Sequence, residues 1–229
     1  MLPPVTLARR LTSEALGTAL LLAAVVGSGI MGERLAGGNL AVALLANTMA
    51  TGAALIALIL VFGPVSGAHF NPVVTLSAAF EHQTAWRDVP AYLAAQILGA
   101  FLGVAAANTM FGEAVYSASR HVRQGPAQLL SEAIATFGLL AVIWGCARRR
   151  PSATPFAVGA YISAAYWFTA STSFANPAVT LARSASDTFT GIRPVDVPLF
   201  IAAQIAGAAA ATLLFRWLVP VAAEGTSEA

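Results

Sequence analysis

The sequence contains no lysine; all twelve of its basic residues are arginine. Cysteine occurs once, as Cys146, which excludes a disulfide framework and a thiol metal site. Charge is scarce as well: 10% of residues are ionised, against about a quarter in a soluble domain. With a net charge of only +2, no nucleic-acid partner is implied. Gly-x-Ser-x-Gly, His-Glu-x-x-His and paired aspartates are all missing, so no residues can be named for catalysis and no metal or cofactor site is expected. What fills the chain instead is hydrocarbon. Hydrophobic residues make up 58% of the 229, and the mean hydropathy is +0.74. Long apolar runs at about residues 11–31, 40–62, 89–110, 128–147, 154–171 and 197–218 each approach the ~20 residues that cross a bilayer core. The expectation is therefore a polytopic membrane protein. The first run is too long for a signal-peptide core and lacks a convincing cleavage site, so it is expected to be retained as a span.

One short phrase is written twice. Residues 71–76 read Asn-Pro-Val-Val-Thr-Leu and residues 176–181 read Asn-Pro-Ala-Val-Thr-Leu. Asn followed by Pro is a helix start: Asn caps the free amides, and Pro occupies the first helical position, where no N–H is missed. Each phrase sits between apolar runs, in Gly63–His82 and Thr172–Thr190, and is followed by roughly ten residues able to form a helix. Ten residues rise about 15 Å, half the bilayer core. Two half-helices entering from opposite sides would meet at mid-depth with their positive ends together. Irregular backbone at that depth is tolerated only where it lines a cavity, so the pattern points to a pore.

The repeat extends further. Ser13-Glu14-Ala15-Leu16-Gly17-Thr18 matches Ser131-Glu132-Ala133-Ile134-Ala135-Thr136, and Val89-Pro90 with Ala94-Ala95-Gln96-Ile97 and Gly99 matches Val197-Pro198 with Ala202-Ala203-Gln204-Ile205 and Gly207. Two repeats, at about residues 9–110 and 127–218, thus form one membrane domain over 1–229. Each holds three full crossings, an odd number, so the second is inverted relative to the first. With the N-terminus inside, seven arginines (9, 10, 87, 148, 149, 150 and 216) lie on the cytoplasmic side and five (34, 120, 123, 183 and 193) outside. That bias places both termini in the cytoplasm. Glycines such as Gly17, Gly27, Gly99, Gly103 and Gly207 are expected to serve close helix approach.

With these features the chain resembles the aquaporin family, the major intrinsic proteins. The resemblance rests on the Ser66-Gly67-Ala68-His69-Phe70-Asn71-Pro72 loop, on Asn176-Pro177-Ala178, and on the paired Glu14/Glu132 and Gln96/Gln204. It implies an all-α membrane fold of six transmembrane helices plus two re-entrant half-helices, assembled in the lipid bilayer as a homotetramer with one pore per protomer. It also implies passive passage of water and small neutral solutes; the residue after the second signature, Val179, looks like that of some plant vacuolar members and of a bacterial branch associated with arsenic resistance. On this view the signatures Asn71, Pro72, Val73 and Asn176, Pro177, Ala178 lie at the pore centre, where the amides of Asn71 and Asn176 donate to solute. The unwound backbone before each offers carbonyl acceptors. Glu14 and Glu132 are expected to accept hydrogen bonds from the loop backbone. Gln96 and Gln204 would bond to loop backbone or across helices, and His69 is assigned a fixed hydrogen-bonding role beside the inner vestibule. Protons and cations are expected to be repelled by the two positive helix ends.

The departure lies at the outer mouth. Most of the family carries Arg directly after the second Asn-Pro-Ala; here the residue is Val179. Alignment puts Thr51, Ser173 and a fifth-span residue beside it. That residue is Ala164 by ungapped counting from Asn176 and Tyr166 by alignment on Gly159; Tyr166 is preferred. Loss of Arg removes a charge and several donors. The resulting expectation is a relaxed filter that admits metalloid acids such as arsenite or methylated arsenicals. A water, urea, hydrogen peroxide or polyol channel without a metalloid role is the alternative. Arg183, one helical turn further on, is assigned a packing or salt-bridge role. An ion-coupled transporter would need a mid-membrane ion or proton cluster, for which the spans supply only Glu14 and Glu132.

Overall fold

The structure is a computed structural model that describes residues 5–220. Eight α-helices run α1 (Leu7–Leu35), α2 (Leu40–Ser66), α3 (Pro72–Phe80), α4 (Val89–Met110), α5 (Pro126–Arg149), α6 (Thr154–Phe168), α7 (Pro177–Arg183) and α8 (Val197–Leu218), and no strand occurs among the described residues. Five of them, α1, α2, α4, α5 and α8, are individually long and apolar enough to cross a membrane. The sixth crossing, α6, has 15 residues, or about 22 Å. A 3₁₀ turn over Pro151–Ala153 adds about 6 Å in front of it.

Boundaries differ from expectation where local chemistry intervenes. α2 continues to Ser66, with Pro64 inside its last turn, because there proline removes a single backbone donor rather than breaking a long ladder. Gly67 ends it at φ 90°, a left-handed cap that glycine adopts without a Cβ penalty. The half-helices are shorter than ten residues: nine in α3 and seven in α7. α7 stops where Ser184 Oγ bonds the Leu181 carbonyl at 2.7 Å, a side-chain competitor for the helical ladder.

Packing repeats with the sequence. α1 lies on α4 and α2 as α5 lies on α8 and α6; α2 packs on α6 across the two halves; and each half-helix touches the other repeat's third span, α7 on α4 and α3 on α8. The two halves thus repeat one packing pattern, as an inverted repeat requires. Close approach depends on glycine at two equivalent crossings. A Cβ on Gly99 would collide with the Ala15 carbonyl, and one on Gly207 with the Ala133 carbonyl.

Both ends of the bundle are tied. At the end where α1 begins and α8 stops, Arg148 pairs with Glu81 at 2.6 Å, both nearly buried, and Arg10 with Asp88 at 2.9 Å. At the opposite end the α4–α5 loop is laced to the segment after α7 by Ser117 N–H to Ala185 O and Ser119 N–H to Ser184 O, each 2.9 Å. Arg120 donates there to Asp187 through its backbone N–H and its guanidinium, which holds the Asp187 carboxyl below the usual range.

Candidate functional site

α3 and α7 begin at asparagines in extended conformation. Asn71 Oδ1 accepts from Val73 N–H at 3.1 Å, and Asn176 Oδ1 from Ala178 and Val179 N–H at 3.0 and 3.3 Å. Each side-chain nitrogen then crosses to the other repeat. Asn71 Nδ2 donates to the Ala175 carbonyl, and Asn176 Nδ2 to the Phe70 carbonyl, both at 2.8 Å. The half-helices therefore meet tip to tip. A primary amide has two N–H donors; one is engaged in the crossing bond and one is left over. Both asparagines line a central cavity of about 240 Å³.

The stretches leading to the tips are unwound. Ala68 and Phe70 sit at φ 48° and 49°, Ser173 and Ala175 at 52° and 49°, a left-handed conformation that costs a residue with a side chain about 1–2 kcal/mol. Buried carboxylates hold them there. Glu14 accepts from His69 N–H at 2.9 Å, Phe70 N–H at 2.7 Å, Ser66 Oγ at 2.6 Å and Gln96 Nε2 at 2.8 Å. Glu132 accepts from Phe174 and Ala175 N–H, each 2.9 Å, and from Gln204 Nε2 at 2.6 Å. Neither carboxylate is exposed to solvent. His69, Phe70, Phe174 and Ala175 turn their N–H groups to the carboxylates, and Gly67–Phe70 and Ser173–Ala175 line the cavity.

Gln96 and Gln204 bond across helices rather than to loop backbone. Each donates at 2.8 Å to a threonine of the half-helix as well as to its carboxylate, Thr75 in one repeat and Thr180 in the other. Those hydroxyls donate back to the Asn71 and Asn176 carbonyls at 3.3 and 2.8 Å. Thr75 and Thr180 escaped the sequence reading, although both copies of the repeated phrase carry them at the same place. His69 lines the cavity with Nδ1 3.0 Å from Thr75 Oγ1.

Towards the other end of the cavity stand Thr51, Tyr166, Ser173 and Val179, all buried and all lining it. Thr51 Oγ1 and Tyr166 Oη are 3.2 Å apart. Of the two α6 candidates, Tyr166 is thus the one on the cavity, while Ala164 is exposed. Val179 adds an apolar wall, continued by Val158, Ile162 and Phe174.

Of the packing and salt-bridge roles open to Arg183, packing is the one it fills: among the described residues it has no carboxylate within 4.0 Å. Its Nε donates to the Thr190 carbonyl, its guanidinium lies 3.4 Å from the centre of the Phe174 ring, and the side chain lines the cavity. The nearby Asp187 is already engaged with Arg120. A second buried arginine, Arg123, stands over the same ring at 4.8 Å and donates to the Gly191 and Ser171 carbonyls. Burial lowers its pKa to about 10, which leaves it protonated at neutral pH. No group of three or more His, Cys, Asp or Glu among the described residues could hold a metal ion.

Two half-helices joined at their tips inside an inverted helical repeat, around a cavity lined by the unwound stretches before them, define a class of helical membrane channel. The chain belongs to the major intrinsic protein family: the family model described as Major intrinsic protein matches residues 1–173. It is 55% identical over 213 residues to Aquaglyceroporin AqpS of Rhizobium meliloti (strain 1021), an alignment covering 93% of this chain and 91% of that one. It is 31% identical over 243 residues to Probable aquaporin AqpM of Archaeoglobus fulgidus, covering 93% and 98%. The X-ray structure of the aquaglyceroporin from Plasmodium falciparum superposes with a TM-score of 0.69 at 22% identity, over 93% of this chain and 95% of that one, and shares its fold. Members of this family are passive membrane channels for water and small solutes, not enzymes.

Proposed function

We propose that this channel carries neutral solutes through a relaxed outer filter of Thr51, Tyr166, Ser173 and Val179, and that metalloid acids, arsenite and methylated arsenicals, are among its cargo. The observation that carries this reading is Val179. It follows Asn176-Pro177-Ala178 directly, is buried, and lines the cavity with an isopropyl group. An uncharged hydroxylated or methylated metalloid needs a few hydrogen-bond partners and some apolar contact. Thr51 and Tyr166 provide the first on one wall, Val179 and Ile162 the second on another. Solute then passes the free N–H groups of Asn71 and Asn176 and the carbonyls of the unwound stretches, trading hydration for fixed partners. Glu14, Glu132, Gln96 and Gln204 position those stretches, and His69 borders the inner vestibule.

The same reading has one domain over 1–229, built from repeats at about 9–110 and 127–218, and a homotetramer with a pore in each protomer. It sits in a bacterial inner membrane with both termini cytoplasmic. The symmetric packing of the two halves supports the domain reading, and the Arg148-Arg149-Arg150 triplet at the end of α5 supports the orientation.

The test is Val179→Arg in proteoliposomes. A guanidinium at this position narrows the mouth, and uptake of methylated arsenite and urea should fall roughly tenfold, with water affected less. Unchanged uptake of the larger solutes contradicts the role given to Val179. Urea and peroxide flux with arsenical uptake no faster than protein-free vesicles would leave the narrower water, urea and peroxide reading in place.

A further inference from the structure

We propose that Arg183 is a displaced filter cation: its guanidinium reaches back to the outer constriction and supplies the positive charge that the residue at 179 lacks. The proposal deepens the neutral-solute reading by naming what keeps ions out of a mouth widened by valine.

Position on the helix is the first support. Val179 and Arg183 are four residues apart on α7, one turn along the same face. Helical side chains lean towards the N-terminus, so a long one covers the turn before its own Cα. Arg183 follows that rule. Its guanidinium stacks on Phe174, the neighbour of Ser173 in the unwound stretch, at 3.4 Å from the ring centre. It therefore stands at the depth of the constriction rather than a turn above it.

Its chemistry is the second. Arg183 is 2% exposed, yet among the described residues it has no ion-pair partner, and Nε to the Thr190 carbonyl is its sole side-chain hydrogen bond. Among the described residues its two terminal nitrogens make no hydrogen bond, and the side chain lines the cavity. A neutral solute can accept from those N–H groups. A cation meets a full charge in a site screened poorly by water. The arrangement differs from Arg148 at the far end of the bundle, whose charge is matched by Glu81, and is shared by Arg123, the other buried arginine over Phe174, which also has no ion pair among the described residues.

The experiment compares Arg183→Gln, Arg183→Lys and the double variant Val179→Arg/Arg183→Gln in liposomes. Urea flux is read by light scattering and proton flux by a trapped pH dye under a potassium–valinomycin clamp. Arg183→Gln should raise the ratio of proton to urea flux about tenfold. Arg183→Lys should hold the ratio near that of the parent, and the double variant should bring it back down while urea flux drops. Equal ratios for the parent and Arg183→Gln overturn the proposal, as does a rise with Arg183→Lys equal to that with Arg183→Gln. Should Arg183→Gln not assemble, the parent decides: it must pass urea while excluding protons and methylammonium, and passage of either cation overturns the proposal. Absence of urea flux in the parent would instead contradict the neutral-solute reading itself, so the two failures are distinguishable.

Discussion

Glu14 and Glu132 are the residues on which the pore stretches depend, because four left-handed backbone positions, Ala68, Phe70, Ser173 and Ala175, lie next to the N–H groups these carboxylates bind. A hydrogen bond to a charged acceptor contributes about 1.5–3 kcal/mol, and a buried donor left without one costs a comparable amount. Glu132→Gln presents an amide N–H₂ to Phe174 or Ala175, which can only donate. The purified variant should lose about 2–3 kcal/mol, seen as a lower thermal unfolding midpoint by tryptophan fluorescence; an unchanged midpoint would contradict the support role. Much at this scale was legible in the sequence, since Glu14, Glu132, Gln96 and Gln204 recur at matched positions in an otherwise apolar chain. Two things were not. The Thr75 and Thr180 hydroxyls act through partners distant in sequence, Gln96 and Gln204. The direction of the Arg183 side chain depends on Phe174 and Thr190, which spacing along α7 does not reveal.

Helices in this fold approach one another over small residues. Hydrophobic burial gives no net drive between helices in lipid, so packing must supply it. At the α1–α4 crossing the backbone itself is the wall: the Ala15 carbonyl faces Gly99, and a carbonyl cannot swing aside as a side chain can. Gly99→Leu is therefore expected to destabilise by at least about 1–3 kcal/mol and to lower the yield of folded protein in detergent. Gly63, which has open space where a Cβ would go, is the control: Gly63→Ala should unfold no earlier than the parent. Equal midpoints for all three proteins would contradict the packing account. Spans were legible to within a few residues from hydropathy, but their ends were set by features hydropathy does not see. α2 runs through Pro64 to the left-handed Gly67, and α7 stops at the Ser184 hydroxyl after seven residues. The choice between Ala164 and Tyr166 turned on helix phase, and it is the tyrosine that faces Thr51.

The whole molecule joins two inverted repeats through bonds that cross between them at the centre, Asn71 to Ala175 and Asn176 to Phe70. Each repeat contributes one half-helix tip and one unwound stretch to the central cavity, so neither forms it alone. This symmetry was the most legible feature of the sequence, because the phrase at residues 71–76 recurs at 176–181 with the same flanking partners. The width and charge of the outer mouth were less so, since they depend on residues from α2, α6, α7 and the unwound stretch before it. Osmotic shrinkage of proteoliposomes carrying the full chain, recorded together with an internal pH dye, tests the central claim most directly. Shrinkage well above the protein-free rate, with weak temperature dependence and no protein-linked acidification, is the result this architecture predicts. Shrinkage at the lipid rate, or acidification that rises with protein content, would contradict a passage that admits neutral molecules and turns charge away.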